Sequence, residues 1–181
     1  TKFNKDFKIN LKILDDISFR VFPRPHLLIK KANLDLNVED EKSIVLETED
    51  LRLYIPSNKV YSKEDIVITD LEFGDLNLNL KLNDIKDFRN HLYYKINKPI
   101  NISNLKLFLV DKENDVILIS PLKKLEYQIN EKSKTKELKL KGSIFDIEFN
   151  SIWKRNYKKP KLTSNEITLI NPNIYIKNNF L

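Results

Sequence analysis

The clearest two-residue alternation in this chain is Leu76-Asn77-Leu78-Asn79-Leu80-Lys81-Leu82. Leucines occupy every even position in it, and polar residues occupy every odd position. An α-helix would scatter these leucines around its circumference, whereas a β-strand places all of them on one face. The stretch therefore predicts a strand with one apolar face and one polar face.

The same alternation recurs along most of the chain and predicts further strands, the first of them within Phe7–Ile13. Its apolar positions are Ile9, Leu11 and Ile13; Leu28, Ala32, Leu34, Leu36 and Val38, with Ile29 on the opposite face; Leu51, Leu53 and Ile55; Leu105, Leu107 and Leu109; Leu138 and Leu140; Ile147 and Phe149; Ile167 and Leu169; and Ile174 and Ile176. Between Leu140 and Ile147, the segment Ser143 to Phe145 is predicted to be a phase change or a bulge.

Polar, turn-like segments separate these runs at 39–42, 56–58, 111–115, 130–136 and 171–173. Many strands joined by short turns predict a large antiparallel sheet with a single apolar face. Alternation alone leaves a sandwich, a closed sheet and an open trough as alternatives. Helical spacing is confined to Asn83–Leu92, where Ile85, Phe88 and Leu92 recur, and a single turn is predicted at Ser62–Asp65.

Composition limits the possible functions. The chain has no Cys, which excludes disulfides and thiolate metal sites. No run approaches the ~18 consecutive apolar residues of a membrane-spanning helix. The net charge is +6, which suits anionic partners, but Lys is abundant throughout, so we interpret this excess as general composition. The chain begins with Thr1, and we expect residues 1–181 to be one β-rich region of a longer chain.

Residues suited to catalysis are scarce. The two His residues, His26 and His91, lie in no recognisable motif, and His-Glu-x-x-His spacing is absent. The adjacent acids Asp15-Asp16 and Glu49-Asp50 would point to opposite faces of a strand and would not converge. Two glycines do not make a phosphate-binding loop. We therefore expect a protein that is not an enzyme, with no catalytic residues, no metal and no cofactor.

The segment Trp153 to Lys161 interleaves aromatic and basic residues. It has three interpretations: a turn with solvated lysines, a contact with an anionic lipid surface, or a nucleic-acid clamp. The residues predicted to contact an anionic surface are Trp153, Lys154, Arg155, Lys158 and Lys159. We favour the turn, then the lipid surface, and expect no nucleic acid as partner.

Several segments resemble the AsmA family of Gram-negative envelope proteins. Residues 17–34 resemble the start of its periplasmic region, a short strand, a corner containing proline and a second strand, with Phe22-Pro23-Arg24-Pro25 as the corner. Leu51–Ile55 and Ile66–Leu71 resemble the strands that follow. Leu140–Phe149 resembles a recurrent strand of the family that contains glycine. The family's membrane anchor has no counterpart in this sequence.

The resemblance implies an elongated, twisted antiparallel sheet that curls into an open groove, with one or two short helices. Such proteins are similar to bridge-like lipid transfer proteins, are periplasmic and attached to the inner membrane, and contribute to phospholipid transport between the two membranes and to outer-membrane biogenesis. The predicted groove-lining residues are Leu34, Leu36, Leu51, Leu53, Ile55, Leu76, Leu78, Leu80, Leu105, Leu107, Leu109, Ile147 and Phe149. The alternatives are a structural or assembly module with a closed core and a basic nucleic-acid-binding β domain.

Overall fold

The computed structural model describes residues 3, 7, 9–37, 43–60, 67–91, 95–159 and 163–180. They are mostly β-strand. The strands are β1 (Asn10–Ile13), β2 (Ile17–Arg20), β3 (His26–Asn37), β4 (Ser43–Tyr54), β5 (Leu71–Lys81), β6 (Ile100–Val110), β7 (Val116–Asn130), β8 (Thr135–Ile144), β9 (Ile147–Asn156), β10 (Thr163–Leu169) and β11 (Ile174–Phe180). The helix α1 (Ile85–Asn90) follows a 3-10 turn at Leu82–Asp84, and a second 3-10 turn spans Ser57–Lys59.

All of these strands belong to one sheet. Its order is β1-β3-β4-β5-β6-β7-β8-β9-β10-β11, and β2 pairs with β3 beyond the end of β1. The two edges of this order are not paired with each other among the described residues, so the sheet stays open. The predicted large, mostly β sheet with a short helix is confirmed.

One strand pair departs from the antiparallel pattern. β5 and β6 are parallel, with Leu71 opposite Ile100 and Leu80 opposite Leu109. A parallel pair requires a crossover instead of a tight turn, and the segment that contains α1 supplies it. The helix predicted at Asn83–Leu92 begins later than expected, at Ile85, because Asn83 and Asp84 belong to the 3-10 turn. Leu92 lies outside the described residues.

The sheet curls around its apolar face, which we call the inner face. Leu34 of β3, Leu51 of β4, Leu76 of β5 and Leu105 of β6 belong to one buried cluster. Phe3 and Phe7, which are helical and four residues apart, bring their rings to the same cluster with 5.0 Å between centroids. The strand predicted within Phe7–Ile13 is present as β1, which begins at Asn10, whereas Phe7 is helical.

Five neighbouring strands change phase at the same level of the sheet. On β5 the buried apolar residues are Leu71 and Phe73 and then Leu76, Leu78 and Leu80, so the alternation slips between Phe73 and Leu76. The alternation of buried residues slips in the same way on the four other strands. The slip lies between Ile29 and Ala32 on β3, Leu46 and Leu51 on β4, Ile102 and Leu105 on β6, and Leu122 and Leu125 on β7. The registers of β3 with β4 and β4 with β5 continue unchanged across this level, so these strands shift together.

This shared slip corrects the predicted faces of β3. Ile29, predicted to oppose Ala32 and Leu34, belongs with them to the core cluster. Leu28 is buried outside that cluster, opposite Arg52 of β4. Asp50 adopts the left-handed conformation (φ 51°) at this level, and its Cβ would lie only 3.1 Å from a Cβ built on Gly74. Because Gly74 has no Cβ, β5 can lie close to Asp50 at the level of the slip.

The turns follow the prediction with a few corrections. Ser143–Phe145 is not a bulge: Phe145 and Asp146, both with positive φ, form a two-residue hairpin turn between β8 and β9. Val67–Asp70 lie outside any strand, and Leu82 lies beyond the end of β5. The predictions for Val38, the turn at 39–42, the single turn at 62–65 and Ile66 fall outside the described residues.

Candidate functional site: the open half of the inner face

The inner face of β8 to β11 forms the least buried part of the curled sheet, and we call it the open half. Strand pairing arranges its side chains in rows that run across the sheet. The rows are Lys136, Arg155 and Thr163; Leu138, Trp153, Asn165 and Asn178; Leu140, Ser151, Ile167 and Ile176; Gly142, Phe149, Leu169 and Ile174; and Ile144 with Ile147. Apolar side chains dominate the rows beyond the first two.

Burial decreases along the strand order. Leu76 and Leu78 on β5 are buried, at 4% and 3% exposure, whereas Ile174 and Ile176 on β11 are both 43% exposed. Between them, Leu138, Leu140 and Phe149 are half-buried against the edge of the core cluster. The inner face is thus a closed core at β3 to β6, is mostly half-buried at β8 to β10, where Ser151 and Asn165 are buried, and is accessible at β11.

The segment after α1 lies at the boundary between the two halves. Tyr127, fully buried on β7, donates a hydrogen bond from its hydroxyl to the Ile96 carbonyl oxygen at 3.0 Å. The Lys136 ammonium donates to the same carbonyl at 2.8 Å and to Asn97 Oδ1 at 3.0 Å. These bonds hold residues 96–97 against the inner face, next to the first row of the open half.

Lys136 is a buried cation in this boundary. The residue is 6% exposed, and burial lowers the pKa of its ammonium group below the usual value. Desolvation disfavours the charged form of a lysine, and hydrogen bonds from the ammonium to carbonyl and amide oxygens offset part of that cost. The charge of Lys136 is therefore placed on the inner face rather than in the surrounding water.

The outer face of the same strands is polar and carries ion pairs. Glu137 on β8 contacts Lys139 at 3.0 Å and Lys154 on β9 at 3.3 Å, and Glu166 on β10 contacts Lys177 on β11 at 2.8 Å. Such half-exposed pairs contribute little stability each, but they keep this face hydrated. The two faces of the β8–β11 region are thus chemically distinct.

The predicted groove-lining residues fall into two groups. Those that the structure buries are Leu34, Leu36, Leu51, Leu53, Ile55, Leu76, Leu78, Leu80 and Leu105. Leu107, Leu109 and Phe149 are half-buried, and Ile147 is 38% exposed. Only Phe149 and Ile147 belong to the open half. Trp153 and Arg155, also in the open half, were predicted as contacts with an anionic surface. The residues of the open half that were predicted as strand positions but not as part of a site are Leu138, Leu140, Ile167, Leu169, Ile174 and Ile176.

The predicted anionic-contact residues do not share one surface. Trp153 and Arg155 lie on the inner face of β9, opposite Leu138 and Lys136, whereas Lys154 lies on the outer face. Lys158 and Lys159 follow β9 in a turn, where both of their backbone N–H groups donate to Asn156 Oδ1 at 2.9 Å. Alternation within β9 divides what the linear order of the sequence placed together.

The proline corner is fixed by a cluster on the outer face that the sequence did not reveal. Arg24 pairs with Asp70 at 3.0 Å, and its guanidinium carbon lies 3.8 Å from the centre of the Tyr54 ring. The Tyr54 hydroxyl donates to Glu72 at 2.8 Å. His26 Nδ1 lies 2.7 Å from the Arg24 carbonyl oxygen, so this histidine has a structural partner.

Other polar groups have structural surroundings as well. Asp111 accepts the backbone N–H groups of Glu113 and Asp115 at 2.9 Å each, which shapes the turn between β6 and β7. The carboxylates of these three acids lie close together, but exposed acidic turns of this kind are common. His91 is buried at the end of the crossover helix. Asp15 and Asp16 are exposed in the bend between β1 and β2.

None of the helices that the structure describes is long and apolar enough to span a membrane. Neither a scan against protein-family models nor a search of curated proteins gave a match for this sequence. The resemblance to the AsmA family therefore stays a prediction.

Proposed function

We propose that this protein is a non-enzymatic lipid-binding β-sheet segment whose open half accommodates the acyl chains of phospholipids. The observation that carries the proposal is the decrease in burial across one continuous apolar face, from Leu78 at 3% exposure to Ile176 at 43%. Apolar surface left in water costs about 25 cal/mol per Å², and acyl chains would remove that cost.

The resemblance to the AsmA family gives this surface a context. In that context the chain would be periplasmic, part of a protein attached to the inner membrane, and would contribute to phospholipid transport between the two membranes. The polar outer face of β8 to β11, with its Glu137–Lys154 and Glu166–Lys177 pairs, suits a sheet that is bathed in water on one side only.

A structural or assembly module is the second candidate function, and the closed core at β3 to β6 favours it. There Leu51 and Leu71 are fully buried, so that part of the face is already covered by the chain itself. The two functions are compatible with the two halves of the sheet, but they differ in what β9 to β11 should bind. The division of Trp153 and Lys154 between faces gives a nucleic-acid stripe no support.

The experiment is phospholipid transfer between liposomes, together with mass spectrometry of lipids extracted from the purified protein. Replacing Ile174 and Ile176 with Asn should reduce transfer strongly, because both side chains lie on the inner face of β11. The matched control is Tyr175→Asn, which alters the outer face of the same strand and should leave transfer near the wild-type rate. Absence of both bound lipid and transfer in the wild-type protein would refute the proposal.

A further inference from the structure

The open half is amphipathic along the direction of its strands. Its first row carries Lys136 and Arg155, and its second row places Trp153 beside Asn165. Farther along β9, Phe149 pairs with Leu169, which in turn pairs with Ile174. Lys136 and Asn165 are buried there, so the cation that this end offers to a ligand is the half-buried Arg155, whereas the other end offers hydrocarbon alone.

The turns at the two ends carry opposite charge. The turns at 131–134 and 157–159, which we call the basic end, lie next to the first row; their described charged residues are Lys132, Lys134, Lys158 and Lys159, with Glu131. The turns at 111–115 and 145–146, the acidic end, carry Asp111, Glu113, Asp115 and Asp146, with Lys112. An anionic group would be attracted to the first of these ends and repelled by the second.

The basic end is held together by its own hydrogen bonds. The Tyr157 N–H donates to the Lys134 carbonyl oxygen at 3.0 Å, and the Tyr157 hydroxyl donates to Glu131 at 2.8 Å. Lys134 contacts the same carboxylate at 3.4 Å. The one carboxylate among the described residues of these two turns is thus already engaged, and the two turns are fixed beside each other.

The length of the surface matches that of a lipid chain. From Arg155 to Phe149 the backbone of β9 advances by six residues, or about 20 Å at the usual rise of a strand. The hydrocarbon of one bilayer leaflet is about 15 Å deep. An acyl chain that starts below Arg155 would therefore end among Phe149, Leu169 and Ile174.

We infer that the open half binds an anionic phospholipid in a single orientation, with its phosphate at the basic end and its acyl chains directed toward the acidic end. This inference rests on the proposed function and adds to it a head-group preference and a direction. Arg155 on the inner face, supported by Lys158 and Lys159, contacts the phosphate. Lys154, on the outer face and paired with Glu137, takes no part.

The position of Trp153 makes the orientation measurable. It is the only tryptophan in the sequence, and it lies on the inner face two residues before Arg155. The experiment loads the protein with phosphatidylglycerol brominated either near the head group or near the methyl end, and removes unbound lipid by gel filtration. Bromine quenches tryptophan fluorescence at short range. Bromine near the head group is expected to quench Trp153 more strongly than bromine near the methyl end.

Variants test the head-group contact. Arg155→Gln should weaken phosphatidylglycerol binding about fivefold, since a basic side chain near an anionic lipid surface contributes about that much. The double replacement of Lys158 and Lys159 by Gln should weaken it further. Lys154→Gln is the matched control and should leave affinity within error. The same brominated chains on neutral phosphatidylcholine should bind more weakly than on phosphatidylglycerol at low salt.

The outcomes separate the inference from the proposed function. Stronger quenching from the methyl end, or equal quenching from both positions, would overturn the orientation while lipid binding itself stood. Equal affinity for the two head groups would overturn the head-group preference. Equal losses for Arg155→Gln and Lys154→Gln would remove the inner-face head-group contact. Failure of both brominated lipids to bind at all would overturn the proposed function and the inference together.

Discussion

The slip in alternation that β3 to β7 share ends at β8, next to Gly142. Leu122 pairs with Gly142 but Lys124 pairs with Lys141, so Lys123 is an extra residue on β7 and β8 continues without a slip. A Cβ built on Gly142 would lie 2.5 Å from the Leu122 side chain and 2.7 Å from the Pro121 carbonyl oxygen. The bulge on β7 and the glycine on β8 therefore require each other.

Replacing Gly142 with Ala should lower the free energy of unfolding by about 2 kcal/mol, because the added methyl group overlaps backbone atoms. Urea denaturation measures the change. Gly74→Ala is the control: the nearest atoms lie at 3.1 and 3.2 Å, so its cost should be clearly smaller. Equal costs at the two positions would contradict the role given to the bulge.

Tyr127 ties the segment after α1 to the inner face through a buried hydrogen bond. Tyr127→Phe keeps the ring and removes the hydroxyl, and it should lower the free energy of unfolding by about 1 kcal/mol. Tyr157→Phe removes a hydroxyl that donates to Glu131 in an exposed turn and should have little effect. Denaturation of both variants checks this, and a Tyr127→Phe variant as stable as wild type would contradict it.

Side-chain alternation in the sequence correctly predicted which leucines share a face in β5 and β6, because a two-residue period has one structural meaning. It failed at Ile29, since a slip shared by five strands depends on neighbours that are distant in sequence. It also failed at Phe145 and Asp146: Asp tolerates the left-handed conformation but Phe does not favour it, and the pairing of β8 with β9 imposes it on both. The Arg24–Asp70 pair could not be predicted either, because it joins residues 46 positions apart.

At the scale of the elements, the outer face of the β8–β9 hairpin carries the ion pairs of Glu137 with Lys139 and Lys154, and their contribution to stability depends on pH. Burial alone would raise the pKa of the Glu137 carboxyl, but hydrogen bonds from Lys139 and Lys154 outweigh it and hold that pKa below 4.5. The folded protein therefore binds this proton less readily than the unfolded chain does. The resulting stability is present above pH 4.5 and is lost as the pH falls through the folded-state pKa.

Glu137→Gln should accordingly be less stable than wild type at neutral pH, with a difference that shrinks as the pH falls well below 4.5. Thermal unfolding of both proteins across that range measures it. A difference that stays constant, or that grows in acid, would show that the pairing does not arise from the charge of Glu137.

The strands themselves were largely predictable, but two features of their arrangement were not. Alternation does not distinguish parallel from antiparallel neighbours. The parallel pairing of β5 with β6 depends on the crossover through α1, and the local pattern of these strands does not encode that crossover. The basic segment that begins at Trp153 was predicted as one surface from its linear order, whereas β9 sends Trp153 and Lys154 to opposite faces.

At the scale of the whole molecule, one apolar face serves two purposes. Between β3 and β6 it is closed by the curl of the sheet and by Phe3 and Phe7, and it forms the core that any domain of this size needs. On β9 and β10 the same face is mostly half-buried, and on β11 it becomes accessible, with Ile174 and Ile176 at 43% exposure. An apolar face that continues from a closed core to an accessible strand is a candidate binding surface.

The sequence predicted that the apolar face would persist through nearly every strand, but not where it would open. Whether a part of the apolar face is accessible depends on how tightly the sheet curls and on which segments of the chain cover it. Both are properties of the tertiary structure. The covering residues Phe7 and Ile96 carry no signal of that role in their local sequence. This is why most of the predicted lining residues lie in the closed half, whereas the open half lies farther along the chain.

The most direct test of lipid binding on the inner face is photocrosslinking along β10. A photoreactive amino acid is placed in turn at Glu166, Ile167, Thr168 and Leu169, the protein is exposed to phospholipid vesicles and light, and lipid adducts are counted by mass spectrometry. Because Ile167 and Leu169 face inward and their neighbours face outward, adducts should form at 167 and 169 and be rare at 166 and 168. Adducts that are absent at all four positions, or equally frequent at all four, would contradict lipid binding on the inner face.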